Sequence, residues 1–214
     1  MNASLSIHVD NRLLQAKYDL TAWFYDLLDF PWERQYRRWR PALLSDVKGA
    51  VLEAGVGTGQ NLRYYPSDAN VTGIDLCHGM LKRARRKGHK ASCHFVLAQE
   101  DVTTMKSIPS NSYNWLVSTF LCCVMPEPLQ PLAIRQFERV LKPGGRFRLL
   151  EMVYSKQSRP RKRQEFFAPF VEKVYGARFD RNTLNYIHES SQLRITQTYF
   201  IKNDTYLVIE GKRL

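Results

Sequence analysis

The segment most able to do chemistry is Glu53-Ala54-Gly55-Val56-Gly57-Thr58-Gly59, which follows directly on the apolar run around Val51 and Leu52. Glycines after a buried strand let the backbone turn sharply and approach a ligand closely, presenting main-chain N–H groups to it. The spacing narrows the ligand. Gly55, Gly57 and Gly59 stand at i, i+2 and i+4, whereas a dinucleotide fingerprint needs its third glycine at i+5, which is Gln60 here. The Gly-Lys-Ser/Thr of a phosphate-cradling loop does not follow. Two acids come next in order. Asp75 closes Val71-Thr72-Gly73-Ile74, 22 residues after Glu53, near the spacing at which an acid accepts from ribose hydroxyls. Asp101 follows Ala98-Gln99-Glu100, where it can accept from an adenine amino group.

Such residues need a sheet to hold them. β-rich runs at Ala50–Ala54, Asn70–Asp75, Cys93–Ala98, Tyr113–Thr119 and Arg146–Met152 alternate with helical spacing at Thr58–Tyr65, Gly79–Lys87 and Pro128–Leu141. This alternation predicts an α/β fold, a Rossmann-like doubly wound sheet that is mostly parallel. Lys142-Pro143-Gly144-Gly145 reads as the turn closing the last of these helices. Leu193–Ile201 and Thr205–Glu210, joined by Lys202-Asn203-Asp204, read as an antiparallel C-terminal hairpin. At the start, Leu13, Leu20, Phe24 and Leu27 share one helical face, and Trp32, Tyr36, Trp39 and Leu43 share another. The expected organisation is an N-terminal helical lid over residues 1–48 and a Rossmann-like domain over 49–214, one folding unit overall.

Composition sets the bounds. At 214 residues, 44% hydrophobic and 24% charged, the chain has the makings of one well-cored globular domain. Cys77, Cys93, Cys122 and Cys123 form no C-x-x-C pair, so no metal site is expected and reduced thiols in a cytoplasmic protein are the simplest reading. The amino terminus does not read as a secretory signal, and the run Leu116 to Met125 is far short of the about 20 residues of a spanning helix. The net charge of +12 raises the prospect of a polyanionic partner. Basic residues cluster at 82–90, in a stretch read as a loop at 156–163, and at Arg34, Arg37, Arg38 and Arg40, where Trp32, Tyr36 and Trp39 interleave as in a membrane headgroup region.

Glu53, the glycine trio, Asp75, Asp101 and Arg139-Val140-Leu141-Lys142-Pro143-Gly144-Gly145 together resemble the class I S-adenosylmethionine-dependent methyltransferases over about residues 50 to 153. Within that family the chain is most similar to the quinone and phospholipid branch, which includes small membrane-associated thiol methyltransferases. The resemblance implies S-adenosylmethionine as cofactor. Gly55, Gly57 and Gly59 would let its amino acid end cross the turn, Glu53 would sit near its ammonium, Asp75 with Leu76 and Met80 would hold the ribose side, and Asp101 with Val102 would frame the adenine. Tyr18 and Tyr25, each followed by aspartate, fit the same branch. One departure is Tyr113-Asn114, where the family usually has an aromatic residue and aspartate. No catalytic residue is assigned, His78, Tyr25, Cys122 and Cys123 being candidates for taking a proton. The apolar exit Ser118 to Val124 lacks the Asn/Asp-Pro-Pro-aromatic tetrad that holds a flipped base. A small or lipidic apolar acceptor (a phospholipid headgroup, a quinone precursor or a thiol) is therefore expected, with peripheral membrane association. The alternative is a nucleic-acid-binding methyltransferase or an RNA- or DNA-binding protein on the same fold, which the charge favours and the missing tetrad disfavours.

Overall fold

A computed structural model describes residues 33–214, so the first expected helix, with Tyr18 and Tyr25, and Trp32 lie outside the described residues. Helix α1 (Arg40–Leu44) leads into β1 (Gly49–Ala54), β2 (Ala69–Asp75), α2 (His78–Lys87), β3 (His94–Gln99) and β4 (Tyr113–Thr119). Then come α3 (Gln130–Val140), β5 (Leu141–Met152), α4 (Ser158–Tyr175), α5 (Thr183–His188), β6 (Leu193–Phe200) and β7 (Tyr206–Arg213). The strands form one seven-stranded sheet in the order β3-β2-β1-β4-β5-β7-β6. β1 to β5 pair in parallel, and β7 pairs antiparallel with β5 and β6. The order reverses between β1 and β4, which makes the carboxyl ends of those strands the place where an open α/β sheet takes a ligand.

Period-two alternation assigns each strand's side chains to opposite faces. Leu52, Ala54, Leu116, Phe147 and Leu149 pack on one face with Ile134 and Phe137 of α3. Val51, Trp115, Val117 and Leu150 pack on the other with Leu43 and Leu44 of α1 and with Tyr36. Arg148 is buried on this second face, where it is neutralised by Glu210 at 2.6 Å and Asp46 at 2.7 Å. Loss of one partner from such a buried pair strands a charge.

Four expectations need correction. Residues 58–65 do not form an α-helix: Gly57 and Gly59 adopt left-handed φ of 54° and 78°, and only a single 3₁₀ turn, Leu62–Tyr64, follows before Pro66. Lys142–Gly145 is not a turn outside the sheet, because β5 already starts at Leu141. Tyr113 pairs with Leu141 and Trp115 with Arg146, so the Pro-Gly-Gly segment bulges out of the ladder. The basic stretch 156–163 is mostly helical, being the first turns of α4, since Pro160 falls where a helix leaves its N–H groups unpaired in any case. Finally Tyr36 is buried and Trp39 half-buried. They stack with Phe120 and Tyr206 at centroid distances of 4.9–6.1 Å, an aromatic core cluster and not a lipid-facing one.

Two glycines separate strain from crowding. A Cβ on Gly59 would stand 2.8 Å from the Ala84 backbone of α2, whereas one on Gly144, with a similar φ of 76°, would meet nothing within 4 Å. Gly144→Ala is expected to cost only the left-handed penalty of about 1–2 kcal/mol. Gly59→Ala adds overpacking of about 1–3 kcal/mol. Urea unfolding of the two variants should rank them in that order.

Candidate functional site

β1 delivers Glu53 with its side chain on the same face as Val51, buried below the glycine turn. Its Oε1 accepts from Asn61 Nδ2 at 2.7 Å, Asn61 Oδ1 accepts from Arg40 Nε at 2.6 Å, and Arg40 donates to both oxygens of Glu33 at 2.6 Å. Burial pushes the Glu53 carboxyl up to about 7, against the opposing pull of Asn61, Tyr65 and Arg40. Its Oε2 is buried close to the Tyr65 hydroxyl, which helps to hold the carboxyl down.

The turn itself is tied to β2. The N–H groups of Gly55 and Val56 both donate to the Ile74 carbonyl at 2.9 Å. The Asp75 carboxylate bridges two loops, Oδ2 accepting from Gly57 N and Oδ1 from Cys77 N, each at 2.9 Å. Asp101 holds its own turn, its Oδ1 accepting from Thr103 N at 2.8 Å and Thr103 Oγ1 at 2.6 Å. Glu100 N donates to the Asp75 carbonyl at 3.1 Å, which sets the third strand's exit beside the second.

These exits open on a cavity of about 990 Å³, at the upper end of the roughly 300–1,000 Å³ of small-molecule sites. Gly55, Gly57, Asp75, Leu76, Met80, Asp101 and Val102 all line it, so seven of the expected cofactor residues come together. Glu53 and Gly59 are not on its wall. Glu53 acts from behind, through Asn61, which is on it, and Gly59 instead lets the turn pack on Ala84. The lining also carries aromatic rings, Tyr36, Phe120 and Tyr206 together with Phe166, Phe170 and Phe179.

Sequence reasoning missed the group that shapes this wall. Glu151, buried near the end of β5, accepts from Cys122 N at 3.0 Å and from Cys123 N at 2.8 Å, pinning the exit of β4. Phe120, at the start of that exit, is held at φ 59°, an unfavourable region for a bulky residue. The available signal was one acid, Glu151, in the apolar run Phe147 to Val153. The candidates for a base fare poorly. His78 is exposed and off the cavity wall. The Cys122 and Cys123 thiols are pushed well above their ordinary range by burial and by Glu151, which keeps them neutral. Tyr25 lies outside the described residues. Among the described residues no cluster of His, Cys, Asp or Glu could hold a metal ion.

The family model described as a methyltransferase domain matches residues 51–145, the span that contains the glycine turn, both acids and the start of β5. This region is a methyltransferase domain of the S-adenosylmethionine-dependent class. The methyltransferase domain is similar to a phosphatidylethanolamine N-methyltransferase of Cereibacter sphaeroides, 38% identical over 111 residues, covering 51% of this chain and 53% of that relative. A thiol S-methyltransferase of Mus musculus is 31% identical over 111 residues, 48% of this chain and 44% of its own. A ubiquinone/menaquinone biosynthesis C-methyltransferase of Syntrophotalea carbinolica is 32% identical over 123 residues, 54% and 50% respectively. The chain thus spans about half the length of the curated relatives it matches. In fold it resembles an N-methyltransferase from Bradyrhizobium japonicum, with a TM-score of 0.62 at 16% identity over 86% of this chain and 97% of that one.

The class takes S-adenosylmethionine, and the cavity fits it. A Cβ on Gly57 would meet nothing within 4 Å, so the turn leaves open the space that a ligand crossing it needs. Asp75 and Asp101 both line the same cavity.

Glu53 and Glu151 both hold a proton more tightly when folded, at about 7, than at their ordinary 4.5. Folding therefore takes up protons between those values, and through these two groups stability falls as pH rises across that window and levels off above it. Glu151→Gln removes one of the two titrations. Urea midpoints of the parent should drop more between about pH 5 and about pH 8 than those of the variant.

Proposed function

We propose that this protein transfers a methyl group from S-adenosylmethionine to a nucleophilic atom of a small or lipidic apolar acceptor, of the kind found in a phospholipid headgroup, a quinone precursor or a thiol, in peripheral contact with a membrane. The observation that carries this reading is a cavity with two chemistries: backbone amides and the carboxylates of Asp75, Glu100 and Asp101 at the strand ends, together with an aromatic lining. The names of the relatives, which act on a phospholipid, thiols and quinone precursors, support the same acceptor range.

In this reading Gly55 and Gly57 give the cofactor a path over the turn, Asp75 accepts from the ribose hydroxyls, with Leu76 and Met80 packing nearby, and Asp101 with Val102 borders the adenine. Glu53 acts as a positioning residue through Asn61, near the cofactor's ammonium. The bound cofactor supplies an activated methyl on a sulfonium with a good leaving group. The chain's own task is then alignment and exclusion of water. Near-attack alignment contributes on the order of 7–11 kcal/mol without a dedicated base, in keeping with the neutral thiols on the exit of β4. Residues 1–48, with Tyr18 and Tyr25, act as a lid over the Rossmann-like domain 49–214 and exclude water during transfer. The described part of that lid, Tyr36 and α1, packs on the sheet face that carries Glu53.

Replacing Asp75 by Ala removes a charged acceptor worth about 1.5–3 kcal/mol per hydrogen bond, and it also frees Gly57 N and Cys77 N. Calorimetric affinity for S-adenosylmethionine is expected to fall at least tenfold. Unchanged affinity would sink the cofactor assignment. Incubation with radiolabelled cofactor and a membrane extract should move label into the organic phase, and label confined to nucleic acid would overturn the acceptor class.

A further inference from the structure

Helix α4 is anomalous. It runs 18 residues from Ser158 to Tyr175 and ends on a left-handed Gly176, yet none of its side chains is buried. Helices in folded proteins draw most of their stability from packing an apolar face. α4 has such a face: Phe166, Phe167, Phe170, Val171 and Val174 recur at i, i+1, i+4, i+5 and i+8. Phe166, Phe167 and Phe170 are nevertheless 79%, 52% and 59% exposed. The same three rings line the mouth of the cavity. One turn earlier stand Arg159, Arg161, Lys162 and Arg163, all exposed, with Lys156 just before the helix. Some of this charge is spent locally, since Arg161 pairs with Glu165 at 2.9 Å and covers the Tyr154 ring at 4.6 Å. Arg159 and Lys162 have no such pairing among the described residues.

We infer that α4 is the surface by which this protein docks on an anionic membrane, Phe166, Phe167 and Phe170 entering the acyl boundary and the basic first turns lying on the headgroups. This proposal rests on the acceptor reading above and deepens it. A helix with one aromatic-aliphatic face and clustered Lys/Arg lies in the plane of a bilayer interface, held by buried apolar area and by attraction to anionic lipid. Charge complementarity favours lipid of negative charge over zwitterionic lipid. Placement at the cavity mouth gives the contact a use: an acceptor with an apolar tail passes from the bilayer along the phenylalanines to the reacting end without crossing water. No helix among the described residues is long and apolar enough to cross a membrane, and this mode needs none.

The test is flotation of the full chain with vesicles of phosphatidylcholine alone and of phosphatidylcholine mixed with phosphatidylglycerol. The parent should float with the mixed vesicles, and high salt should release it. Phe166→Ser/Phe167→Ser/Phe170→Ser should lower the bound fraction at least tenfold. Arg159→Glu/Lys162→Glu should abolish the preference for phosphatidylglycerol. Both variants should keep their circular dichroism, because no α4 side chain is in the core, and the Arg159/Lys162 variant, whose two residues lie off the cavity lining, should keep its calorimetric affinity for S-adenosylmethionine. Parent-like flotation of the triple variant would overturn the proposal, as would equal flotation with both vesicle types. So would no flotation together with a monomer–dimer change in the triple variant, which would identify a second copy as the occupant, or binding to RNA alone. Loss of cofactor binding in the parent would instead defeat the methyl-transfer reading and leave the flotation result standing.

Discussion

A buried relay of four side chains, Glu33 to Arg40 to Asn61 to Glu53, holds the site together. It crosses from the segment before α1 to the end of β1, so the outer helical layer and the glycine turn are joined by charge-assisted bonds at 2.6–2.7 Å. The arrangement also solves a solvation problem. A lone carboxylate under the sheet's ligand edge would be costly to bury. Here Arg40 neutralises Glu33 and lends part of its field to Glu53 through an amide, and Glu53 keeps a proton up to about pH 7.

The same principle operates twice more around the cavity. Asp75 ties the glycine turn to the exit of β2, and Glu151 ties the exit of β4 to β5. Each carboxylate accepts two backbone N–H groups, which are the groups a chain leaving a strand cannot satisfy by itself. Each cavity wall is thereby set by an acid on a rigid strand and not by the loop's own preferences. Glu151 also offsets the left-handed Phe120 nearby, a conformation that persists only when its surroundings over-determine it. With Phe120 so placed, its ring joins Tyr36 and Tyr206 and closes one side of the apolar wall.

The division of the cavity follows from this construction. Strand ends present backbone donors and acids, and the elements added outside the parallel strands present aromatics. A site of this kind orients and dries its reactants, which suits a reaction whose leaving group is already activated. It does not require a residue with a tuned proton affinity facing the reactants: Glu53, Glu151 and Cys122 are off the cavity lining, and Cys123, which is on it, is kept neutral.

The glycine turn, the two acids and the succession of strands along the chain were legible in the sequence because each is local: a positive φ selects glycine, a strand end needs an acceptor, and apolar alternation has a period that can be counted. Seven of the nine described cofactor candidates met on one wall for that reason. Three things were decided only by tertiary structure. Tyr36, Trp39 and Arg40 read as an interfacial cluster until packing against Phe120, Tyr206 and Glu33 made them core. Residues 156–163 read as a basic loop until Pro160 fell within a helix's first turn, where its missing N–H costs nothing. Glu151 was given no role from the sequence. Its two partners, Cys122 and Cys123, lie 29 and 28 residues away, and a pairing over that separation exists only once β4 and β5 are laid side by side.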